Sequence, residues 1–226
     1  MRTLIYVPVI HSSVDLGSLA KEVTKRGMAD FGPEFWAEHE RTILAFWDAL
    51  IEYLNSIEVS GFRLYQDGMI TDGEVAQKIV EEGVKSGSKN YELVAGLLKR
   101  GAVLIKTEDF NLVREERDRM LKITRAKTLF GKLLAFMMYK LSKNRLLNKR
   151  DEFIAKRIYE TLSDGQTGII FIGAYHNIKK RLPHDIRIIE VKNADKVKEY
   201  QALLPFYHRH KERFAELAKY MVSPIV

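Results

Sequence analysis

Five short segments with the character of strands, separated by longer segments with helical periodicity, constrain the fold of this chain more than any other feature. These segments cover residues 3–10, 61–66, 102–106, 168–173 and 186–191. The segments 3–10 and 168–173 are nearly continuously apolar and rich in β-branched and aromatic residues, which is typical of strands that are covered on both faces. The alternation of the five segments with helices predicts an α/β fold with a mainly parallel central sheet flanked by helices.

Length and composition fit one globular unit. A chain of 226 residues with 46% hydrophobic residues predicts a single α/β domain over residues 1–226. The absence of cysteine excludes disulfides, thiolate metal sites and cysteine nucleophiles. The chain opens with no signal-peptide pattern, and no apolar run approaches the roughly 20 residues of a membrane span. We therefore expect a cytoplasmic protein.

Two of the apolar runs stop at a histidine. IYVPVIH ends at His11 and IIFIGAYH ends at His176, while the run at 61–66 is followed by Asp67. The matched endings suggest two related halves. In parallel sheets, ligands bind outside the carboxyl ends of the strands, so we expect runs 3–10 and 168–173 to be neighbours near the centre of the sheet, with both histidines at one rim.

Two imidazoles and a carboxylate have more than one use. His11, His176 and Asp67 could hold a divalent metal such as Mn²⁺, Co²⁺ or Zn²⁺, or they could act as acid/base groups without a metal. Polar residues are also common at strand ends for purely structural reasons, and Asp67-Gly68 is an ordinary turn dipeptide. The residue types alone leave these alternatives open.

A helical motif lies upstream of the second histidine run. Arg150 and Asp151 begin the pattern RDxxxAxxI, which a short turn links to a strand ending in Gly-x-x-His. This arrangement resembles the closing portion of the erythromycin esterase/ChaN/TraB-like superfamily, which includes the TIKI metalloproteases. The opening strand of that family also ends in Gly-x-x-His, whereas this chain has Pro8 in place of the glycine.

The resemblance implies that five residues line one pocket, and these are His11, Asp67, Arg150, Asp151 and His176. The family usually has a glutamate where this chain has the shorter Asp67. Its members include esterases, metal-dependent peptidases and a haem-binding protein, so the resemblance implies a site and does not specify a reaction.

The positive charge of the chain is concentrated in one segment. The formal net charge is +7, but the span from Arg119 to Arg150 holds ten basic residues and no acid, so the remainder is mildly acidic. Within it, residues 125–149 form a basic helical insertion with apolar side chains at helical spacing, namely Phe130, Leu133, Leu134, Met137, Met138 and Leu141. Three interpretations remain: packing on its own domain, association with a partner or a second copy through residues 127–146, and peripheral contact with an anionic membrane. No signature of a nucleic-acid-binding fold accompanies the segment, which makes nucleic acid an unfavoured partner.

Two hypotheses follow from these observations. The first is a hydrolase-like protein of the esterase/ChaN/TraB type that acts on a small molecule or peptide, with or without a metal. In it, His11, His176 and Asp67 are metal ligands or catalytic groups, and Arg150 and Asp151 orient each other or a substrate anion. The alternative is a non-catalytic binding or scaffolding protein that uses the 125–149 helix.

Overall fold

The structure is a computed structural model that describes residues 1–12, 14–15, 20–125 and 129–225, with the backbone alone for residue 120 and for residues 123–125 and 129–142. The regular elements follow one another as β1 (Arg2–Val9), α1 (Ala20–Phe31), α2 (Pro33–Asn55), β2 (Arg63–Gln66), α3 (Gly73–Lys85), α4 (Lys89–Lys99), β3 (Val103–Ile105), α5 (Phe110–Arg125), α6 (Leu129–Thr161), β4 (Thr167–Gly173), β5 (Ile186–Glu190), α7 (Ala194–Leu203) and α8 (Lys211–Val222). Each predicted strand segment overlaps one of the five strands, and the predicted ends differ from the observed ends by at most two residues.

The five strands form one sheet in the order β3-β2-β4-β1-β5, and every pairing is parallel. β1 and β4 are adjacent inside the sheet, in register from Thr3 opposite Thr167 to Val9 opposite Gly173. The prediction of a parallel α/β sheet with these two strands as central neighbours is confirmed. The suggestion of two related halves stays a prediction.

Helices cover both faces of the sheet, as a parallel sheet with two apolar faces requires. Alternate strand residues such as Val7 and Phe171 pack on one face against helices that include α2, which contributes Trp47. The intervening residues face the other side, where the last turns of α6 pack against them through Ile154 and Ile158. Each fully buried side chain of this size contributes about 1.5–3 kcal/mol to the free energy of unfolding.

Pro8 lies within β1 without a bulge, in register with Ile172 of β4. Two residues earlier, the carbonyl of Tyr6 points toward β5, the strand on the other side of β1. This carbonyl accepts a hydrogen bond from the amide of Val191. Because residues two apart in a strand point their backbone groups to the same side, the nitrogen of Pro8 also faces that side. The pairing with β5 ends at Tyr6, so the missing amide hydrogen removes no ladder bond.

Helix α6 is about 50 Å long, given the rise of 1.5 Å per residue, and it runs antiparallel to the strands. Arg150 lies at the carboxyl ends of the strands, and Tyr159 lies at their amino ends, where its carbonyl accepts from Arg2. Helix α5 packs along α6. Residues 129–149 of the predicted insertion at 125–149 therefore belong to the same helix as the turns that carry Ile154, and the independence of the insertion from the sheet domain stays a prediction.

Candidate active site

Four ionisable side chains meet at the carboxyl-end rim of the sheet. Asp67 directly follows β2, and the others lie two or three residues beyond the ends of β1, β3 and β4. These are His11, Glu108 and His176. The shared strand direction brings these residues, far apart in sequence, to one edge.

Asp67 is the central acceptor of the cluster. Its Oδ1 accepts from Arg150 Nη2 at 2.6 Å, and its Oδ2 accepts from the backbone amide of Gly173 at 3.0 Å. Burial alone would raise the pKa of Asp67, but the positive charges of His176 and Arg150 and the neighbouring His11 hold that pKa well below its usual range. Asp67 therefore remains a carboxylate at any physiological pH.

His176 is held in one orientation by a second carboxylate. Its Nδ1 lies 2.6 Å from Asp151 Oδ1, and the other oxygen of Asp151 accepts from the amide of Asn177 at 2.9 Å. Since the carboxylate requires a donor, Nδ1 carries hydrogen and Nε2 faces the interior of the cluster, 3.6 Å from Asp67 Oδ2. Burial lowers the pKa of His176, but the charge of Asp67 and the hydrogen bond to Asp151 outweigh burial and raise it.

Arg150 links three carboxylates. Besides Asp67, its guanidinium contacts Glu108 through Nε at 3.1 Å and Nη2 at 2.5 Å, and its Nη1 donates to Glu116 of α5. Burial opposes the charge of Arg150, but its three anionic partners raise the pKa of the guanidinium. A permanently charged fork with several donors suits such an arrangement better than a lysine would.

Glu108 is the most deeply buried acid of the cluster, with a side chain that is 0% exposed. Burial raises its pKa to about 7, although Arg150 acts in the opposite direction. The amides of Thr107 and Glu108 both donate to the carbonyl of Met69, at 2.8 and 2.9 Å, which fixes the segment after β3.

His11 lies at the outer side of the cluster. Its Nε2 is 3.9 Å from Asp67 Oδ2, and its side chain is 35% exposed. Burial lowers the pKa of His11, but the adjacent Asp67 outweighs it and raises that pKa. The indole N–H of Trp47 donates to the carbonyl of Ile10 at 3.2 Å and fixes the segment that follows β1.

A metal-ligand group is present within the cluster. Among the described residues, Asp67, Glu108 and His176 each offer a ligand atom, and these atoms lie within 4.8 Å of one another. The group could hold a metal ion, as the two carboxylates and the imidazole are ordinary ligands for divalent metals. Asp67 and His176 were predicted as ligands, Glu108 was not, and the predicted ligand His11 lies outside this group of three.

The structure brings together all five residues that the sequence nominated, and their catalytic roles stay predictions. Glu108 and Glu116 were missed. A signal existed for Glu108, because it follows a predicted strand at the same end as His11 and Asp67. Nothing in the sequence indicates Glu116, which approaches Arg150 from the middle of a helix.

The apolar side chains proposed for association within residues 125–149 fall on positions whose side chains lie outside the described residues. Self-association and membrane contact through this segment therefore stay predictions. In the described part of the chain, no helix has the length and apolar character needed to cross a bilayer.

Comparisons with family models, with curated proteins and with solved structures each give no match to this chain. The resemblance to the esterase/ChaN/TraB-like superfamily consequently stays an expectation from the sequence motifs.

Proposed function

We propose that the protein is a divalent-metal-dependent hydrolase whose metal is held by Asp67, Glu108 and His176. The observation that carries this proposal is the position of His176 Nε2. It is buried, it is turned toward Asp67 Oδ2 by the bond from Nδ1 to Asp151, and the two atoms stand 3.6 Å apart. A histidine oriented by a carboxylate behind it is the usual arrangement for a metal-binding imidazole.

The charges of the cluster support the same conclusion. Of the four acids here, Asp67, Glu108 and Glu116 contact the guanidinium of Arg150, the one permanent cation, and Asp151 contacts His176. Three unmatched negative charges in a mostly buried site require compensation. The raised pKa values of Glu108, His11 and His176 favour bound protons that offset this charge, and a divalent cation would offset it when bound.

A metal bound there would supply Lewis acidity and lower the pKa of a water molecule, as hydrolysis at neutral pH requires. The residues of the chain have separate tasks. Arg150 positions Asp67 and Glu108, and Asp151 positions His176. His11, partly exposed and with a raised pKa, is placed to donate a proton to a leaving group.

Metal binding is tested first through stability. At a free metal concentration of 100 times Kd, the folded state gains about 2.7 kcal/mol, and we expect Mn²⁺, Co²⁺ or Zn²⁺ to raise the midpoint of thermal unfolding accordingly. His176→Gln and Asp67→Asn should lose this increment. His184→Gln is the matched control, because His184 is exposed and adjoins Asp185, the partner of Arg2 at the opposite rim of the sheet.

Hydrolysis is tested second, with p-nitrophenyl esters in EDTA and after metal addition. We expect turnover that requires metal and that is lost in His176→Gln but retained in His184→Gln. Equal metal-induced stabilisation of the wild type and the two cluster variants would show that the ion binds elsewhere, and the proposal would be wrong.

A further inference from the structure

A cavity of about 450 Å³ opens beside the cluster, lined by residues that follow β1 and by helix α2. This volume lies in the range of small-molecule sites, which are mostly apolar with a few polar groups that orient the ligand. Its apolar wall includes Ile10, Val14, Val23, Ile43, Leu44 and Leu204. His11 lines the same cavity, so an occupant would lie next to the histidine that stands 3.9 Å from Asp67.

The wall of the cavity has no spare charge for an ionic ligand. Its residues that carry charge near neutral pH are Glu40, Lys89 and His11. Lys89 lies 3.4 Å from Glu92 and 3.7 Å from Asp48, Glu40 is engaged within the chain, and His11 faces the carboxylates of the cluster. A charged group on a ligand would lose its hydration here without gaining a partner, which is costly.

His39 is a polar residue of the wall with one nitrogen occupied and one available. Its Nδ1 lies 2.9 Å from the hydroxyl of Tyr200, and its ring packs against those of Trp36 and Tyr200, with centroids 5.2 and 5.7 Å away. Within the described residues, Nε2 has no hydrogen-bond partner, and it is not among the polar atoms there that are closed off from solvent. A ligand in the cavity can therefore bond to this nitrogen.

The bond with Tyr200 determines what His39 offers a ligand. Burial lowers the pKa of His39 to about 4, so the ring is neutral at physiological pH. A phenol O–H is a stronger donor than an imidazole N–H, and an imidazole nitrogen is a stronger acceptor than a phenol oxygen. Tyr200 consequently donates to Nδ1, which places the ring hydrogen on Nε2. His39 thus presents an uncharged N–H donor.

We propose that the cavity binds an uncharged, mainly apolar molecule whose carbonyl or hydroxyl oxygen accepts a hydrogen bond from His39 Nε2. The apolar wall buries the hydrocarbon part of the molecule, and His39 orients its oxygen. Because His11 lines the same cavity, this molecule is the substrate in the proposed hydrolase, and that step alone rests on the proposed function. Uncharged esters and amides with a hydrocarbon chain meet these requirements, whereas anionic substrates such as phosphate esters do not.

The binding test measures displacement of the uncharged dye N-phenyl-1-naphthylamine from the full chain in EDTA. The probes are 2-octanone, octanoate and 2-methyl-1-octene, in which a methylene group replaces the ketone oxygen. We expect 2-octanone to displace the dye and octanoate to bind at least about tenfold more weakly, because its charge finds no partner.

The hydrogen bond is tested with His39→Phe, which keeps an aromatic ring and removes Nε2. We expect it to weaken 2-octanone about tenfold, as the loss of one hydrogen bond does, and to leave 2-methyl-1-octene unaffected. Tyr200→Phe is the matched control, because it deletes the same bond between His39 and Tyr200 and leaves Nε2 in place. This control should keep the affinity of both probes.

Leu44→Trp tests the cavity itself and does not depend on how well His39→Phe folds. Leu44 lines the cavity and is 44% exposed, so a larger side chain there narrows the cavity without disturbing the core. We expect both probes to bind about tenfold more weakly. Val75→Trp, at an exposed apolar position of α3 outside the cavity, is the matched control and should bind both probes as the wild type does.

The outcomes separate this inference from the proposed function. Octanoate that binds as well as 2-octanone, or equal losses of 2-octanone affinity in His39→Phe and Tyr200→Phe, would overturn the inference and leave the metal site standing. His176→Gln should lose metal stabilisation and keep 2-octanone binding. Binding of 2-octanone that depends on His39 in a protein that binds no metal supports the cavity assignment while the hydrolase proposal fails.

Discussion

Two buried arginines lie at opposite ends of the same sheet, and their surroundings differ. At the amino-end rim, Arg2 forms a bidentate pair with Asp185 at 2.7–2.9 Å and donates to the carbonyls of Tyr159 and Leu162. Asp185 is 57% exposed, so water shares in its solvation. At the carboxyl-end rim, Arg150 faces three carboxylates in a much drier site.

The comparison distinguishes an arginine that stabilises the fold from one that belongs to a functional site. Arg2 has one carboxylate partner, Asp185, and its other described donor contacts are to neutral carbonyls. Around Arg150, the acids outnumber the permanent cation, an arrangement that costs folding free energy. Side chains that cost stability and converge on one point are typical of functional sites.

The largest expected effect is on the free energy of unfolding, when the guanidinium of Arg150 or of Arg2 is removed. Arg150→Met leaves three carboxylates without their shared partner, and we expect a loss of about 3–5 kcal/mol in the free energy of unfolding. Arg2→Met should cost less, about 1–3 kcal/mol, because Asp185 remains hydrated. Urea denaturation in EDTA measures both values.

Added Mn²⁺ should narrow the difference in stability between Arg150→Met and the wild type, whereas Arg2→Met, whose metal site is intact, should gain the same increment as the wild type and keep its deficit. Similar losses in both variants, with no rescue by metal, would remove the distinction between the two rims.

The pH dependence of stability provides the next largest effect. Because the pKa values of His11 and His176 are raised in the folded protein, their protonation increases the free energy of unfolding. This stabilisation is complete below their unfolded pKa of about 6.5 and is lost as pH rises through the folded values. Glu108 acts in the same direction, because its pKa of about 7 means that the folded state retains a proton which the unfolded chain loses near pH 4.5. The stability that this proton provides falls by on the order of 3 kcal/mol as pH rises from the unfolded to the folded pKa.

Asp67 acts in the opposite direction at lower pH. Its depressed pKa gives a contribution that is present above its unfolded pKa and lost as pH falls through the lower folded value. In EDTA, we therefore expect stability to decline from about pH 5 to pH 8, as measured by urea denaturation at one-unit intervals. With Mn²⁺ present the decline should flatten, since metal binding competes with these protons. A profile in EDTA that rises over this range would contradict the assignment.

The smallest expected effect compares the two ends of β4. A methyl group on Gly173 would come within 3.2 Å of Asp67 Oδ2, and one on Gly168 would come within 3.0 Å of the Tyr65 ring. Gly173→Ala should weaken metal binding about tenfold, or about 1.4 kcal/mol, by displacing the carboxylate. Gly168→Ala should lower stability by overpacking and leave metal affinity unchanged. Calorimetric titration of metal into both variants makes the comparison, and equal affinities would show that Gly173 does not shape the site.

The sequence by itself determined the class of the fold and part of the site. The apolar character of short segments predicted the strands. The helical segments between them indicated parallel strands, because parallel neighbours are joined by crossover connections that usually contain a helix. Since the carboxyl ends of parallel strands share one rim, the ends of two strands were enough to bring His11 and His176 together.

Only the tertiary structure decided which charges meet. Glu116 reaches Arg150 because α5 packs along α6, and Lys143 and Lys198 share the Tyr175 ring because two distant helices approach one loop. Burial, which sets the pKa of Glu108, is likewise a property of the packed structure and not of a residue type. The pattern of apolar residues in a strand is local, so a short stretch of sequence is enough to predict it. The position of a helical side chain relative to another element depends on how the whole chain packs.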